Sequence, residues 1–118
     1  MPDGFRGFYT DNAEGPAYGA YVADELVAFV ERNFPAKRAR DGRCIGGLSM
    51  GGYGALRTAL AHPDRFASAN SHSGALLYGA RNAIRDPSPL TPTEQRHIFG
   101  PAPAGSDHDL FALAKRAK

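Results

Sequence analysis

Apolar residues recur at steps of three and four between Ala17 and Phe34, and this spacing predicts the first helix of the chain. Pro35 follows the stretch, and because the residue before a proline avoids helical backbone angles, the helix is expected to end near Asn33. Its apolar face is formed by Tyr18, Tyr21, Val22, Leu26, Phe29, Val30 and Phe34. Residues 1–14 show no such period and are rich in glycine and aromatic side chains, which indicates a loop.

Two short apolar runs with a helical stretch between them predict a parallel βαβ unit. Arg43–Leu48 and Phe66–Ser71 have the length and composition of strands. Ala55–Ala61 has helical character and is expected to stop before Pro63. Since short connections join strand, helix and strand in that order, the strands are expected to be parallel and the fold class to be α/β. Cys44 in the first strand is expected to be buried, because free cysteine is among the most buried residue types.

The stretch after Tyr78 is rich in proline, since positions 87, 89, 92, 101 and 103 hold five of the nine prolines. This composition predicts a loop or lid in which only Thr93–Phe99 forms a helical turn. A last helix is expected from His108 to about Lys115, with Asp107 as its N-cap.

Length and composition are those of one small globular domain. The chain has 118 residues, of which 42% are hydrophobic and 22% are charged. We expect residues 1–78 to form the α/β core segment. Residues 79–118 are expected to add the proline-rich loop or lid and the C-terminal helix to the same domain.

Charge and cysteine content narrow the possible partners. The formal net charge is only +2, and the one local basic cluster, Lys37–Arg40, is followed by Asp41, so a nucleic-acid partner is not expected. No apolar stretch is long enough to span a bilayer, and no membrane contact is expected. The single cysteine cannot form an intrachain disulfide, which fits a reducing compartment and predicts a cytoplasmic location.

The sequence Gly47-Leu48-Ser49-Met50-Gly51 matches the pattern G-x-S-x-G. By average glycine and serine usage, this pattern arises by chance in roughly 4% of chains of this length, so its context decides its value. Here it follows a predicted strand and precedes a predicted helix, which is the setting of a nucleophile elbow. Ser49 is therefore predicted to be a catalytic nucleophile. The alternative is an ordinary glycine-rich turn; a phosphate-binding loop is disfavoured because no lysine follows the glycines.

The elbow has steric and electrostatic requirements that these residues meet. The turn at Ser49 has to be sharp and strained, so that its Oγ stands clear of the sheet, and a side chain at Gly47 or Gly51 is expected to crowd it. The helix that follows points its first amides at the reaction centre. The Met50 N–H is therefore predicted to donate to the oxyanion of a tetrahedral intermediate, aided by the positive end of the helix dipole.

These residues resemble a known family, the esterase D / S-formylglutathione hydrolase family of α/β-hydrolases. The segments that carry the resemblance are Gly46–Leu56, His62–Phe66 and Ser71–Gly74, together with Met1–Gly4 and Phe8–Asp11 upstream. The likeness is specific over about residues 1–78 and looser beyond them. It implies a partial α/β-hydrolase fold and a serine carboxylesterase that acts on small acyl esters without metal or cofactor. It also implies Ser49 as nucleophile and the Met50 amide as one oxyanion donor.

The family pattern has three further parts that do not match residues 1–118. They are a His-Gly loop that supplies the other oxyanion donor, an acid after a later strand, and a catalytic histidine near the C-terminus. By this comparison the chain is expected to be the middle piece of a domain about twice as long.

Four histidines could in principle replace the missing base. His62 is expected to end a helix at the surface, and His72 to lie at the sheet edge as a structural or pocket-wall residue. His97 and His108 follow Asp86 in the order that a triad requires, with Asp107 and Asp109 as other orienting acids. The tyrosines 9, 18, 53 and 78 are expected to be core or half-buried residues rather than an acyl pocket.

Two functional hypotheses remain at this stage. The first is a serine esterase with an acyl-enzyme on Ser49, and the second is a non-catalytic α/β-hydrolase remnant that serves as a binding or oligomeric scaffold. A small parallel sheet with an open edge is also expected to self-associate, so a homo-oligomer is predicted.

Overall fold

The architecture is a two-stranded parallel sheet with helices on one face, and a computed structural model describes it over residues 1–83 and 88–117. The elements in chain order are α1 (Tyr18–Ala20), a π-helical segment (Tyr21–Leu26), α2 (Val27–Asn33), β1 (Cys44–Leu48), α3 (Met50–Ala61), β2 (Ser68–His72), α4 (Pro92–Phe99) and α5 (Leu110–Arg116). Short 3-10 turns lie at Arg40–Gly42 and Tyr78–Ala80.

The predicted βαβ unit is confirmed. Strands β1 and β2 pair in parallel, in a register that runs from Cys44 opposite Ser68 to Leu48 opposite His72. The central helix begins at Met50 rather than at Ala55. Its first turn is made mostly of glycine, which gives no apolar period, so the sequence pattern predicted the start too late.

The first helical stretch has the predicted extent, but Val22 is the one residue of its predicted apolar face that is buried. Helix α2 buries none of its residues, and the rings of Phe29 and Phe34 are 52% and 57% exposed. Ion pairs hold the stretch beside the sheet instead. The Arg43 Nε donates to the Glu31 Oε1 over 2.7 Å, and Arg65 pairs with Asp24.

In the described part of the chain, no helix is long and apolar enough to cross a membrane.

The expectation of a buried Cys44 is wrong, because the thiol is exposed. Helix α3 covers one face of the sheet, and the strand residues that point to the opposite face are open to solvent. They are Cys44, Gly46 and Leu48 from β1 and Ser68, Asn70 and His72 from β2. A parallel sheet ordinarily has both faces covered, whereas in the described residues one face of this sheet is open.

The hydrophobic core lies on the side of α3 away from the sheet. It consists of Phe8, Tyr53, Leu90, Ile98, Phe99 and Leu110, most of which lie after Tyr78 in the sequence. The ring of Phe8 is at its centre, 5.7 Å from the Tyr53 ring and 5.3 Å from the Phe99 ring, both edge-on. The proline-rich segment therefore contributes much of the core that buries α3.

Helix caps fix the ends of this segment. At the start of α4, Thr91 and Glu94 form a reciprocal capping box, which Arg6 joins through an ion pair of 2.8 Å between its Nε and the Glu94 Oε1. Helix α5 is capped by Asp109, whose Oδ1 accepts from the amides of Phe111 and Ala112. The prediction of Asp107 as this cap is thus wrong, since the cap lies two residues later. Asp107 instead pairs with Arg116.

Buried polar contacts tie the segment before α5 to α3 and to the N-terminal loop. The Tyr53 hydroxyl donates to the His108 carbonyl over 2.7 Å, and the Arg57 Nε donates to the Asp107 carbonyl over 3.3 Å. The His108 Nδ1 lies 3.0 Å from the hydroxyl of Thr10, which is fully buried. Burial, with Arg57 nearby, lowers the pKa of His108, although Asp107 and Asp11 oppose the shift.

This arrangement predicts a loss of stability in weak acid. His108 has a folded pKa below its ordinary value of 6.5, so the unfolded chain binds more protons as the pH falls below that value. The free energy of unfolding should therefore decrease from about pH 6.5 downward until the folded pKa is passed. Urea unfolding at a series of pH values measures it. His108→Gln should flatten the curve in this window. A curve that His108→Gln leaves unchanged would refute this origin.

Candidate active site

The chain turns sharply at Ser49, between the end of β1 and the start of α3. Ser49 has φ 53° and ψ −113°, and its side chain is exposed. A positive φ is uncommon outside glycine and costs on the order of 1–3 kcal/mol, so surrounding contacts have to hold it. The strand-turn-helix predicted from the motif is present, and the hydroxyl stands at the carboxyl end of the sheet.

Three backbone hydrogen bonds hold Ser49 in this conformation. Its amide donates to the His72 carbonyl over 2.9 Å, which continues the ladder between β1 and β2. Its carbonyl accepts from the Tyr53 amide in α3 and from the Ala75 amide in the loop after β2, each over 3.1 Å. The strained residue is thereby fixed to the sheet, the helix and the following loop together.

The two glycines of the motif have different roles, and the prediction for one of them is wrong. A Cβ placed on Gly47 would lie 2.3 Å from the backbone carbonyl carbon and oxygen of Gly51, so strand and helix touch there without room for a side chain. A Cβ placed on Gly51 would meet only the Tyr9 ring, at an ordinary 3.8 Å. Crowding therefore requires glycine at position 47 but not at position 51.

The Met50 N–H lies at the first position of α3, directly after Ser49. First-turn amides of a helix have no intrahelical acceptor, and in the described chain no other group accepts from this one. The helix dipole adds a partial positive charge at the same end. The site can thus offer one amide donor to an anion bound beside the Ser49 hydroxyl.

None of the four histidines forms a hydrogen bond with the Ser49 hydroxyl in the described residues. His62 is the C-cap of α3, as predicted, and His97 lies at the surface 3.4 Å from the Glu14 carboxylate. His108 is bonded to Thr10 beside the core. His72 ends β2 on the open face of the sheet, where its carbonyl, rather than its ring, contacts Ser49.

The two described acids among the partners predicted for these histidines form contacts other than a triad. Asp109 caps α5 and Asp107 pairs with Arg116, while Asp86 lies outside the described residues. Within the described ranges, no group of three or more His, Cys, Asp and Glu side chains could hold a metal ion.

The tyrosines have the predicted core or half-buried positions. Tyr53 is fully buried, and this burial raises the pKa of its hydroxyl. Tyr9, Tyr18 and Tyr78 are half-buried. Sequence reasoning missed the contact of Tyr9 with the glycines of α3, because residues 1–14 carry no periodic pattern and such a contact is visible only in the folded chain.

Comparison with known proteins places this geometry in a family. The family model described as "Putative esterase" matches residues 1–102. The acetyl esterase of Caldicellulosiruptor saccharolyticus is 35% identical over an alignment that covers 100% of this chain and 47% of the relative.

Solved structures of serine hydrolases have the same fold. The fluorophosphonate-binding serine hydrolase FphF of Staphylococcus aureus matches 99% of this chain with a TM-score of 0.83 at 29% identity, over 45% of its own length. An S-formylglutathione hydrolase from Agrobacterium tumefaciens matches 95% of this chain with a TM-score of 0.73 at 28% identity, over 40% of its own length. The chain thus spans less than half the length of these relatives.

The difference between the two motif glycines can be tested by stability. Gly47→Ala should destabilise the fold by about 3 kcal/mol or more, since its methyl group meets backbone that cannot move aside. Gly51→Ala should be neutral or stabilise by up to about 1 kcal/mol, because alanine is the better helix former and the space exists. Chemical denaturation of both variants provides the measurement. Equal destabilisation by the two substitutions would contradict the assigned packing.

Proposed function

The chain belongs to the esterase family of the α/β-hydrolases, and from this membership we propose that it carries the nucleophile of a serine carboxylesterase. The observation that carries the proposal is the left-handed, solvent-exposed Ser49 between a parallel strand and the N-terminus of α3. That conformation is strained and is held by three hydrogen bonds, which is typical of a residue retained for chemistry.

In the proposed reaction, the Ser49 Oγ attacks the acyl carbonyl of an ester. The carbonyl oxygen becomes an oxyanion that accepts from the Met50 N–H, and the hydroxyl proton passes to a base. The alcohol then leaves with a proton, an acyl-enzyme remains on Ser49, and water releases the acid by the same steps. A small acyl ester is the proposed substrate, in keeping with the acetyl esterase and S-formylglutathione hydrolase relatives.

The base is the part of the reaction that the described residues do not supply. A serine with only an oxyanion donor and binding contacts retains on the order of a thousandfold rate enhancement over water. The described chain alone is therefore expected to be acylated slowly and to turn over weakly. This consideration also keeps the second candidate function, a non-catalytic scaffold, open to test.

A fluorophosphonate probe distinguishes the two candidates. The chain should be labelled, since phosphonylation of a serine hydroxyl uses the same attack and oxyanion geometry, and Ser49→Ala should abolish labelling. Ser73→Ala is a matched control because Ser73 is also exposed, has φ 45° and follows the adjacent strand. It should label like the unchanged chain. Intact mass and peptide mapping detect the adduct.

Two results would count against the enzyme. Absence of any adduct on the folded chain would favour the scaffold, and an adduct that persists in Ser49→Ala would place the reactive hydroxyl elsewhere.

We also propose that the chain self-associates through its open sheet. Both edges of the two-stranded sheet are unpaired in the described residues, and one face is uncovered. Leu48 on that face is 68% exposed, although it is a large apolar residue. Pairing or stacking with a second copy would satisfy the edge amides and carbonyls and remove this side chain from water.

Light scattering at micromolar concentration tests the association. Species larger than a monomer are expected, and Leu48→Lys should shift them toward the monomer by placing a charge on the open face. Leu77→Lys is the matched control, since Leu77 is 45% exposed and lies outside the strands. A clean monomer for the unchanged chain, or equal effects of the two lysines, would refute association through the sheet.

A cytoplasmic location is also proposed, from the single cysteine. The Cys44 thiol is exposed and has no second cysteine with which to pair, so an oxidising compartment would leave it open to intermolecular disulfide formation. Fractionation of the native cells tests this location.

A further inference from the structure

Two consecutive aromatic residues in the N-terminal loop have left-handed backbone angles. Phe8 has φ 54° and Tyr9 has φ 53°. Each non-glycine residue in this conformation destabilises the fold by on the order of 1–3 kcal/mol, so the packing of the two rings has to offset the strain. For Phe8, burial in the core offsets the strain, since this residue is only 5% exposed. Tyr9 points elsewhere, toward the N-terminal turns of α3.

The Tyr9 ring lies in a slot lined by glycine. A Cβ on Gly4 would be 2.6 Å from the ring, and a Cβ on Gly54 would be 2.5 Å from the Tyr9 Cβ. A Cβ on Gly51 would meet the ring edge at an ordinary 3.8 Å, so the ring lies near this residue as well. The hydroxyl at the far end donates to the Pro2 carbonyl over 3.2 Å. The ring is thus held from one side by the N-terminal loop and contacts bare helix backbone on the other.

This contact falls on the turn that positions the candidate oxyanion donor. Gly51 and Gly54 flank Tyr53, whose amide donates to the Ser49 carbonyl. The same turn begins with the Met50 N–H. A ring that packs directly on this backbone restricts its tilt, because glycine offers no side chain that could yield between them.

We propose that Tyr9 is a positioning residue for the oxyanion donor: its ring fixes the first turns of α3 and thereby the direction of the Met50 N–H beside Ser49. The inference rests on the proposed function and adds a residue outside the G-x-S-x-G motif. The ring carries the effect, and the hydroxyl only anchors the ring to Pro2.

The rate of fluorophosphonate labelling at Ser49 tests the catalytic side of the proposal. Tyr9→Ala should slow labelling by about 10- to 100-fold, as expected for displacement of an oriented group by up to about 1 Å. Tyr9→Phe keeps the ring and should stay within about twofold of the unchanged chain. Phe5→Ala is the matched control, because Phe5 lies in the same loop with φ 46° but is 71% exposed. It should label normally.

A double-substitution cycle tests whether the contact itself is responsible. Gly54→Ala places a methyl group against the Tyr9 Cβ and should slow labelling like Tyr9→Ala. Tyr9→Gly removes the Cβ as well as the ring, so a variant that combines Tyr9→Gly with Gly54→Ala should be no slower than the slower single variant. Fully multiplicative effects would mean that the two residues act independently and would overturn the proposal.

Amide hydrogen exchange separates this inference from the proposed function. Tyr9→Ala should speed exchange at Tyr53 and Ala75, the two amides that donate to the Ser49 carbonyl, and Tyr9→Phe should not. The Leu113 amide, bonded to the Asp109 carbonyl in the last helix, is outside the Tyr9 contact and should be unchanged.

If the unchanged chain is not labelled, the esterase proposal fails, and exchange alone decides the role of Tyr9. Unaltered protection at Tyr53 and Ala75 in Tyr9→Ala would overturn the inference. So would equal acceleration at Leu113, since that would show general loss of structure.

Discussion

The close approach of strand β1 to helix α3 is the constraint on which the candidate site depends. Gly47 and the backbone of Gly51 meet with no space for a Cβ between them, and this contact forces the chain to reverse within the two residues that follow the strand. Ser49 takes the left-handed angles that the reversal requires. Hydrogen bonds from Tyr53 and Ala75 to its carbonyl, and from its amide to His72, then hold the strain. The exposure of Ser49 and the lack of an acceptor for the Met50 N–H among the described residues are consequences of this packing.

The turn at Ser49 is well packed on its helix side and exposed to solvent on its sheet side. On the helix side, α3 is covered by aromatic core residues and by polar contacts from the segment before α5, among them the Tyr53 hydroxyl bonded to the His108 carbonyl. On the sheet side, Leu48 and His72 face solvent. The candidate nucleophile and the proposed oxyanion donor are thus supported by a well-packed layer. The histidines of the described chain serve as caps, surface groups or core contacts. The described residues therefore supply no base for the reaction proposed at Ser49.

The local parts of this account could be predicted from the sequence. The G-x-S-x-G pattern, the short strands and the order strand, helix, strand specified the βαβ unit, and the family resemblance drawn from the same segments is confirmed by the match over residues 1–102. These features depend on residues near one another in the chain, where turn chemistry and periodicity are informative.

The parts that depend on distant contacts were not predictable. Cys44 lies in a strand and is of a residue type that is usually buried. Its burial depends on what covers its face of the sheet, and α3 covers the opposite face. The contribution of Leu90 and Phe99 to the core is hidden by the surrounding prolines. Asp107 and Asp109 are both aspartates and could cap a helix equally well, so the sequence alone does not show that Asp109 caps the last helix. The role of Tyr9 has no signal in the sequence.

A crystal structure of the chain after reaction with a fluorophosphonate tests the central claim most directly. The account predicts phosphorus bonded to the Ser49 Oγ, a left-handed residue 49, and a phosphonyl oxygen about 3 Å from the Met50 amide nitrogen. A Ser49 with ordinary helical angles, or a phosphonyl oxygen directed away from the Met50 amide, would contradict it.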